Sequence, residues 1–310
     1  MSGVLVVDKP CGPSSFGVVR RVRGALARRW GRTARALKIG HGGTLDPMAS
    51  GVLPVCVGEA TKLAAFLLGA DKEYQATVRF GVETDTADAE GQVISRRPVS
   101  LERAEVEAAL VAFRGRIDQV PPMYAALKRD GRPLYEYARA GLTVERHARA
   151  VTVHELALVT FVPPDTACLR VRCSKGFYVR VLAADLGQAL GPGAHLCALR
   201  RVASGPFLLG AALALDDLMA RIASGEALPF VSCADALAHL PAVRVSGDTE
   251  RALRCGQQLE WDALGRQAPP AEPLRALGES DGALVAVVTA GAGGGVQTMR
   301  VFGRAAPDCP

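Results

Sequence analysis

Charge of one sign is missing from a long stretch near the N-terminus. Between Asp8 and Asp46 there is no Asp or Glu, while Lys9, Arg20, Arg21, Arg23, Arg28, Arg29, Arg32, Arg35 and Lys38 are all basic. Ordinary helix surfaces mix both signs, so this gap points to a polyanionic partner. The eight cysteines, at 11, 56, 168, 173, 197, 233, 255 and 309, never form a CxxC pair. His41, His147, His154, His195 and His239 fall at no ligand spacing from them, which argues against a zinc site. No apolar run reaches the ~18 residues of a membrane helix, and "MSGVLVVDKP" lacks the charged lead of a signal sequence. These absences give the expectation of a reduced, cytoplasmic chain with no metal site and no membrane partner. Aromatic residues are scarce at 5%, yet hydrophobic residues make up 49% of the 310, ample for a core. At roughly 100–200 residues per domain, one large domain plus one small one fits best. We expect a large domain over residues 1–242 and a small one over 243–310. The net charge of +6 favours an acidic partner, and its excess collects in residues 9–38 and again from Lys128 to Arg149.

Apolar spacing gives the elements. Val4 to Val7 read as a buried strand broken by Pro10, Gly12 and Pro13. Ser14 or Ser15 then caps a helix with Val19, Val22, Leu26 and Trp30 on one side. "KEYQATVRFG" alternates Tyr74, Ala76, Val78 and Phe80 against Glu73, Gln75, Thr77 and Arg79, a strand with one covered face. "CLRVRCSKG" repeats that pattern. A helix is expected from Ser100 to about Phe113, and another from "GFYVRVLAADLGQALG", stopped at Gly191 and Pro192. With no regular βαβ rhythm, the fold class is α+β around a largely antiparallel sheet with flanking helices. Residues 119–150 stand apart as an inserted segment. Tyr124, Tyr135 and Tyr137 lie among Lys128, Arg129, Arg132, Arg139, Arg146 and Arg149, a mixture that suits gripping RNA by stacking and phosphate contacts, or a helical hairpin packed by its tyrosines. After Pro241 the chain turns Gly- and Pro-rich around one strong strand, "GALVAVVTAG", which suggests a small β-rich domain and a further candidate RNA contact.

One acid stands out. "GHGGTLDPMASG", residues 40–51, sets Asp46 among small residues and His41. Asp46 followed by Pro47 is a common helix start, with Asp as N-cap and Pro at the first helical position. The alternative is a functional carboxylate. Gly40, Gly42, Gly43 and Gly51 would then remove side chains so that a bulky ligand meets the backbone. His41 is either an ordinary turn histidine or a ring that stacks on a base.

"GHGGTLDPMASGVLPVCVGEATKL" resembles the catalytic signature of the tRNA pseudouridine-55 synthases, stand-alone bacterial enzymes that isomerise uridine in the TΨC arm. "VDKPCGPSS", "KEYQATVRFGVETDTADAEG", "PPMYAALKRDGRPLYEYARAG", "CSKGFYVR" with "DLG", and "GAHLCALRR" are similar to the family's other blocks, in order, across residues 3–207. Phe177 departs from an expected Thr and Ala125 from an expected Ser. The resemblance implies the pseudouridine-synthase fold, a flipped uridine, and Asp46 as the catalytic carboxylate. It implies Arg180 as the partner of that acid, Tyr74 stacking on the base, Tyr178 as a second active-site phenol, and Leu199 as an apolar wall. His41 would fill the space the base leaves, with Lys9 and Lys62 supporting a loop or a phosphate. Isomerisation changes no oxidation state, so no cofactor and no metal are expected, and the partner is the tRNA TΨC stem-loop, met by a monomer. Three rivals remain: a non-catalytic RNA-binding or tRNA chaperone protein of the same fold, a glycosidase-like hydrolase pairing Asp46 with Asp85 or Asp88, and a guide-RNA-dependent synthase.

Overall fold

The computed structural model describes residues 2–303, so Cys309 lies outside the described residues. The chain forms two compact units, one from residues 46–51 and 69–205, the other from the described parts of 1–45, 52–68 and 206–310.

In the unit of residues 46–51 and 69–205, five strands run in the order Ala194–Ser204, Lys72–Phe80, Thr166–Cys173, Arg149–Val162 and Gly115–Gln119. All four pairings are antiparallel. The start of the strand Ala49–Val57 adds a parallel partner, Ala49 to Gly51 against Leu199 to Arg201. The expected alternation holds in Lys72–Phe80: Ala76, Val78 and Phe80 are buried, whereas Gln75 and Arg79 are exposed. The helix Val179–Leu190 buries Val179, Leu182, Ala183 and Leu186, and it ends at Gly191 with φ 99°. A Cβ on Gly187 would lie 2.2 Å from Ala194 N, so this helix is held against the start of the next strand by a missing side chain.

Two expectations need correction here. The helix placed at Ser100 begins at Arg103 and ends at Leu110, with a 3-10 turn over Val111–Phe113. Glu105 accepts a hydrogen bond from Glu102 N at 2.8 Å, a reciprocal cap that fixes the start three residues late. Residues 119–150 combine a hairpin and a short helix. Lys128–Arg129 pairs with Arg132–Pro133 through Asp130 (φ 51°) and Gly131 (φ 79°), the left-handed pair that a two-residue turn of matching twist requires. The helix Leu134–Arg139 follows. Arg132 lies over the Tyr137 ring at 4.7 Å and Arg139 over Tyr135 at 5.5 Å.

In the other unit, Ser14 Oγ caps the helix Ser15–Arg29 by accepting from Gly17 N at 3.0 Å. The strand Gly3–Lys9 carries Val4 and Val6 into a core with Val52, Cys56, Leu63, Leu67, Phe207, Leu237, Val287 and Phe302. The C-terminal region is β-rich as expected, a four-stranded sheet in the order Ala242–Val245, Leu274–Gly278, Leu284–Ala290 and Val296–Val301. Its second cluster gathers Leu253, Trp261, Leu274, Val285 and Val288. Leu284–Ala290 is therefore buried on both faces, which is why it alone reads as an unbroken apolar run. Among the described residues no helix is long and apolar enough to cross a membrane.

Candidate active site

Asp46 does not open a helix. Ala49 N donates to Asp46 O at 3.1 Å, closing a turn with Pro47 at its second position, where the ring's fixed φ suits it. The chain then enters the strand Ala49–Val57 directly.

Arg180, the second residue of Val179–Leu190, reaches this turn. Its Nε lies 3.0 Å from Asp46 Oδ2, and its side chain is 5% exposed against 36% for Asp46. A guanidinium has five N–H donors and no acceptor. Arg180 spreads them further: Nη1 lies 3.5 Å from Asp88 Oδ2, Nη2 donates to Tyr124 O at 2.8 Å and Nη1 to Thr86 O at 3.4 Å. Asp88 is itself fixed, accepting from Thr86 Oγ1 at 2.5 Å and from Glu90 N at 3.0 Å. Its loop is stitched to the sheet through Ala89 N to Leu196 O and Leu196 N to Ala87 O, both 3.0 Å. One cation thus carries two carboxylates, one half-open and one sealed.

The sheet supplies the surroundings. Tyr74 stands opposite Val171 on one neighbour and Arg201 on the other, and Ala76 stands opposite Leu199. Leu199 is 8% exposed and Tyr74 half-buried. Tyr178, immediately before the helix that carries Arg180, is clamped through its backbone: Tyr178 N donates to Gln119 Oε1 at 3.0 Å, and Gln119 Nε2 donates to Tyr178 O at 3.3 Å. Burial pushes the pKa of both phenols up, and the charge of Asp46 adds to it. Both stay protonated at neutral pH and hold a proton to donate.

Asp46, Arg180, Tyr74, Tyr178 and Leu199 thus all belong to one unit, whereas His41, Lys9 and Lys62 belong to the other. His41 ends the strand Ile39–His41 opposite Val55. Lys9 is fully buried, and its Nζ donates to Pro10 O and Pro13 O, both at 2.8 Å. Lys62 Nζ pairs with Glu59 at 2.6 Å and donates to Val301 O at 2.9 Å. Both ammonium groups tie backbone. The glycine reading changes as well. A Cβ on Gly51 (φ 104°) would lie 2.1 Å from Arg201 O, and one on Gly42 would lie 2.8 Å from Leu67, so internal packing excludes side chains there. Phe177 and Ala125 are both buried and fill packing positions.

Two members of this constellation escaped the sequence reading in these roles. Asp88 figured only as a hydrolase's second carboxylate. At 5% exposure and held by Arg180, Thr86 and Glu90, it is not placed to activate water. Arg201, 1% exposed, stands opposite Tyr74 across the strand pair; in the sequence it is the second of two adjacent arginines after Leu199, and nothing local marks it as the buried one. Among the described residues no group of three or more His, Cys, Asp or Glu is arranged to hold a metal.

Residues 31–179 match the family model described as TruB family pseudouridylate synthase (N terminal domain), and residues 180–229 match the tRNA pseudouridylate synthase B C-terminal domain. The chain is 49% identical over 278 residues to the tRNA pseudouridine synthase B of Cupriavidus pinatubonensis, covering 88% of this chain and 85% of that one. It is 48% identical over 294 residues to that of Burkholderia mallei, covering 94% of each. Among solved structures it is similar to a Cbf5-Nop10-Gar1 complex, with TM-score 0.74, 28% identity, and 97% of this chain and 85% of that one covered. An H/ACA RNP bound to a substrate RNA containing 2'-deoxyuridine gives TM-score 0.71, 26% identity, and coverage of 97% and 85%. From its matched domains and its near-full-length relatives, the chain belongs to the TruB family of pseudouridylate synthases.

Proposed function

We propose that this synthase acts on tRNA, converting the uridine at position 55 of the TΨC arm to pseudouridine. The observation that carries the reading is the Asp46–Arg180 pair beside two protonated phenols. The reaction breaks the bond from N1 to C1′, turns the base, and joins C5 to C1′. The proton leaving C5 is matched by one gained at N1, so no atom is lost and no redox partner enters. Asp46 supplies the anionic oxygen, as nucleophile or as electrostatic stabiliser, and Arg180 holds it aimed. Tyr74 stacks on the extruded base, Leu199 forms an apolar wall, and Tyr178 offers its phenol as hydrogen-bond partner. Taking a base out of its stack costs a few kcal/mol, and stacking worth about 1–3 kcal/mol per base offsets it. His41 occupies the space the base leaves, and Lys9 and Lys62 support their loops.

Residues 119–150 grip the RNA through the cations of the hairpin and the stacked Arg–Tyr pairs. The four-stranded C-terminal sheet adds an RNA contact. The relatives named tRNA pseudouridine synthase B, at 48–49% identity, support a stand-alone tRNA enzyme over a guide-RNA-dependent one. A monomer working in the cytoplasm without cofactor or metal completes the reading. Incubation with an unmodified tRNA transcript, followed by mapping of pseudouridine, tests it. Modification confined to uridine 55 is expected, and modification elsewhere with that uridine untouched overturns the assignment.

A further inference from the structure

Gln119, 3% exposed, is the buried residue of the edge strand Gly115–Gln119. The chain leaves the sheet here and returns at Arg149, its partner across the strand pair, so Gln119 stands at the base of the inserted segment. Its amide carries an acceptor and a donor on one planar group, and both are used on a single backbone residue. Tyr178 N donates to Oε1 at 3.0 Å, and Nε2 donates to Tyr178 O at 3.3 Å. A backbone N–H only donates and a carbonyl only accepts, so the pair also fixes which way the amide faces. Tyr178 is the N-cap of the helix Val179–Leu190. Caps are commonly Ser, Thr, Asp or Asn, whose side chain accepts from the first turn, but the Tyr178 side chain makes no such bond. Its carbonyl also accepts from Leu182 N at 3.2 Å, the first bond of the helix. The start of this helix is therefore held from outside, by Gln119. Two residues further on, Arg180 donates from Nη2 to Tyr124 O at 2.8 Å and places Nε 3.0 Å from Asp46 Oδ2. The stretch 119–124 thus meets the site twice, through the Gln119 side chain and through the Tyr124 carbonyl.

We infer that Gln119 is a positioning residue that fixes the start of the helix carrying Arg180, and through it the aim of the guanidinium on Asp46, while joining the site to the base of the inserted segment. This rests on the proposed roles of Asp46 and Arg180. Such a clamp acts mainly on the chemical step, because a small misplacement of a reacting group costs more in rate than in binding.

A double-mutant cycle under single turnover, with a TΨC stem-loop RNA as substrate, tests the inference. Gln119→Met keeps the length of the side chain and removes both polar groups. It is expected to lower the rate constant at saturating RNA about 10-fold while RNA affinity stays within about 3-fold. In an Arg180→Lys background, where the guanidinium fork is already gone, the same substitution is expected to change the rate by less than about 2-fold. Equal losses in both backgrounds, an unchanged rate, or a loss carried by RNA affinity overturn the inference. Should Gln119→Met fail to fold, Gln119→Asn, which holds the amide one methylene short of Tyr178, runs through the same two backgrounds and decides by the same criterion. If the parent modifies the RNA and the cycle is additive, only the Gln119 inference fails. A parent that leaves this RNA unmodified overturns both.

Discussion

Arg180 is a single buried cation serving Asp46 at 3.0 Å and Asp88 at 3.5 Å. The two acids differ in what they need from it. Asp46 is 36% exposed and solvent can compensate it in part, whereas Asp88 is 5% exposed and cannot be left alone. Removing one partner of a buried pair leaves an uncompensated charge and costs about 3–5 kcal/mol. Arg180→Met is therefore expected to destabilise the protein by about that amount in urea unfolding. Adding Asp88→Asn to Arg180→Met is expected to return a measurable part of the loss, because the neutral amide no longer demands a cation. An Arg180→Met variant as stable as the parent, or a double variant less stable than the single one, would contradict this view of the triad.

At the scale of elements, the Asp46 turn is held by the absence of a side chain. Gly51 combines a left-handed φ of 104° with a virtual Cβ 2.1 Å from Arg201 O, and neither can be relieved without moving a strand. Gly51→Ala is expected to cost more than about 2 kcal/mol and to depress activity, while Gly210→Ala, with open space around it, should stay within about 0.5 kcal/mol. Thermal unfolding of the two variants side by side checks the contrast. The same elements show what the sequence could reveal. Lys72–Phe80 and Val179–Leu190 were legible because alternation, helical spacing and a terminating Gly191 are local signals. The start at Arg103 was not, since it depends on a cap between Glu102 and Glu105 that competed with Ser100. The C-terminal sheet was only half legible: Leu284–Ala290 is covered on both faces, whereas Val296–Val301 is largely exposed on its strand and carries no unbroken apolar run. At the site, Asp46, Arg180, Tyr74, Tyr178 and Leu199 were readable through motifs. Arg201 and the second role of Asp88 were not, because one depends on the register that sets Arg201 opposite Tyr74 and the other on an ion pair between Asp88 and Arg180, neither of which leaves a local signal.

For the molecule as a whole, the excess of 37 basic over 31 acidic residues is not spread evenly in purpose. Arg29 donates to Arg221 O and Gly225 O, and Arg21 pairs with Asp216, so these two do structural work. Arg28, Arg32, Arg35 and Lys38 are exposed and available to phosphates. Each phosphate contact adds about 0.7–0.9 to the slope of log affinity against log salt. Replacing Arg28 and Arg32 by Ala is expected to lower that slope by about 1–2 with little change in stability. Arg29→Ala is expected to lower stability and leave the slope alone. Filter binding of a tRNA transcript at several salt concentrations reads the first effect and thermal unfolding the second. An unchanged slope in the Arg28 and Arg32 double variant would remove these two residues from the RNA surface.

The claim on which the rest depends is that the carboxylate of Asp46 performs the chemistry while other residues bind and orient the RNA. It is tested most directly by measuring pseudouridine formation and tRNA affinity together in Asp46→Asn. The account predicts no product above background with affinity within a few-fold of the parent. Turnover well above background in that variant would contradict it.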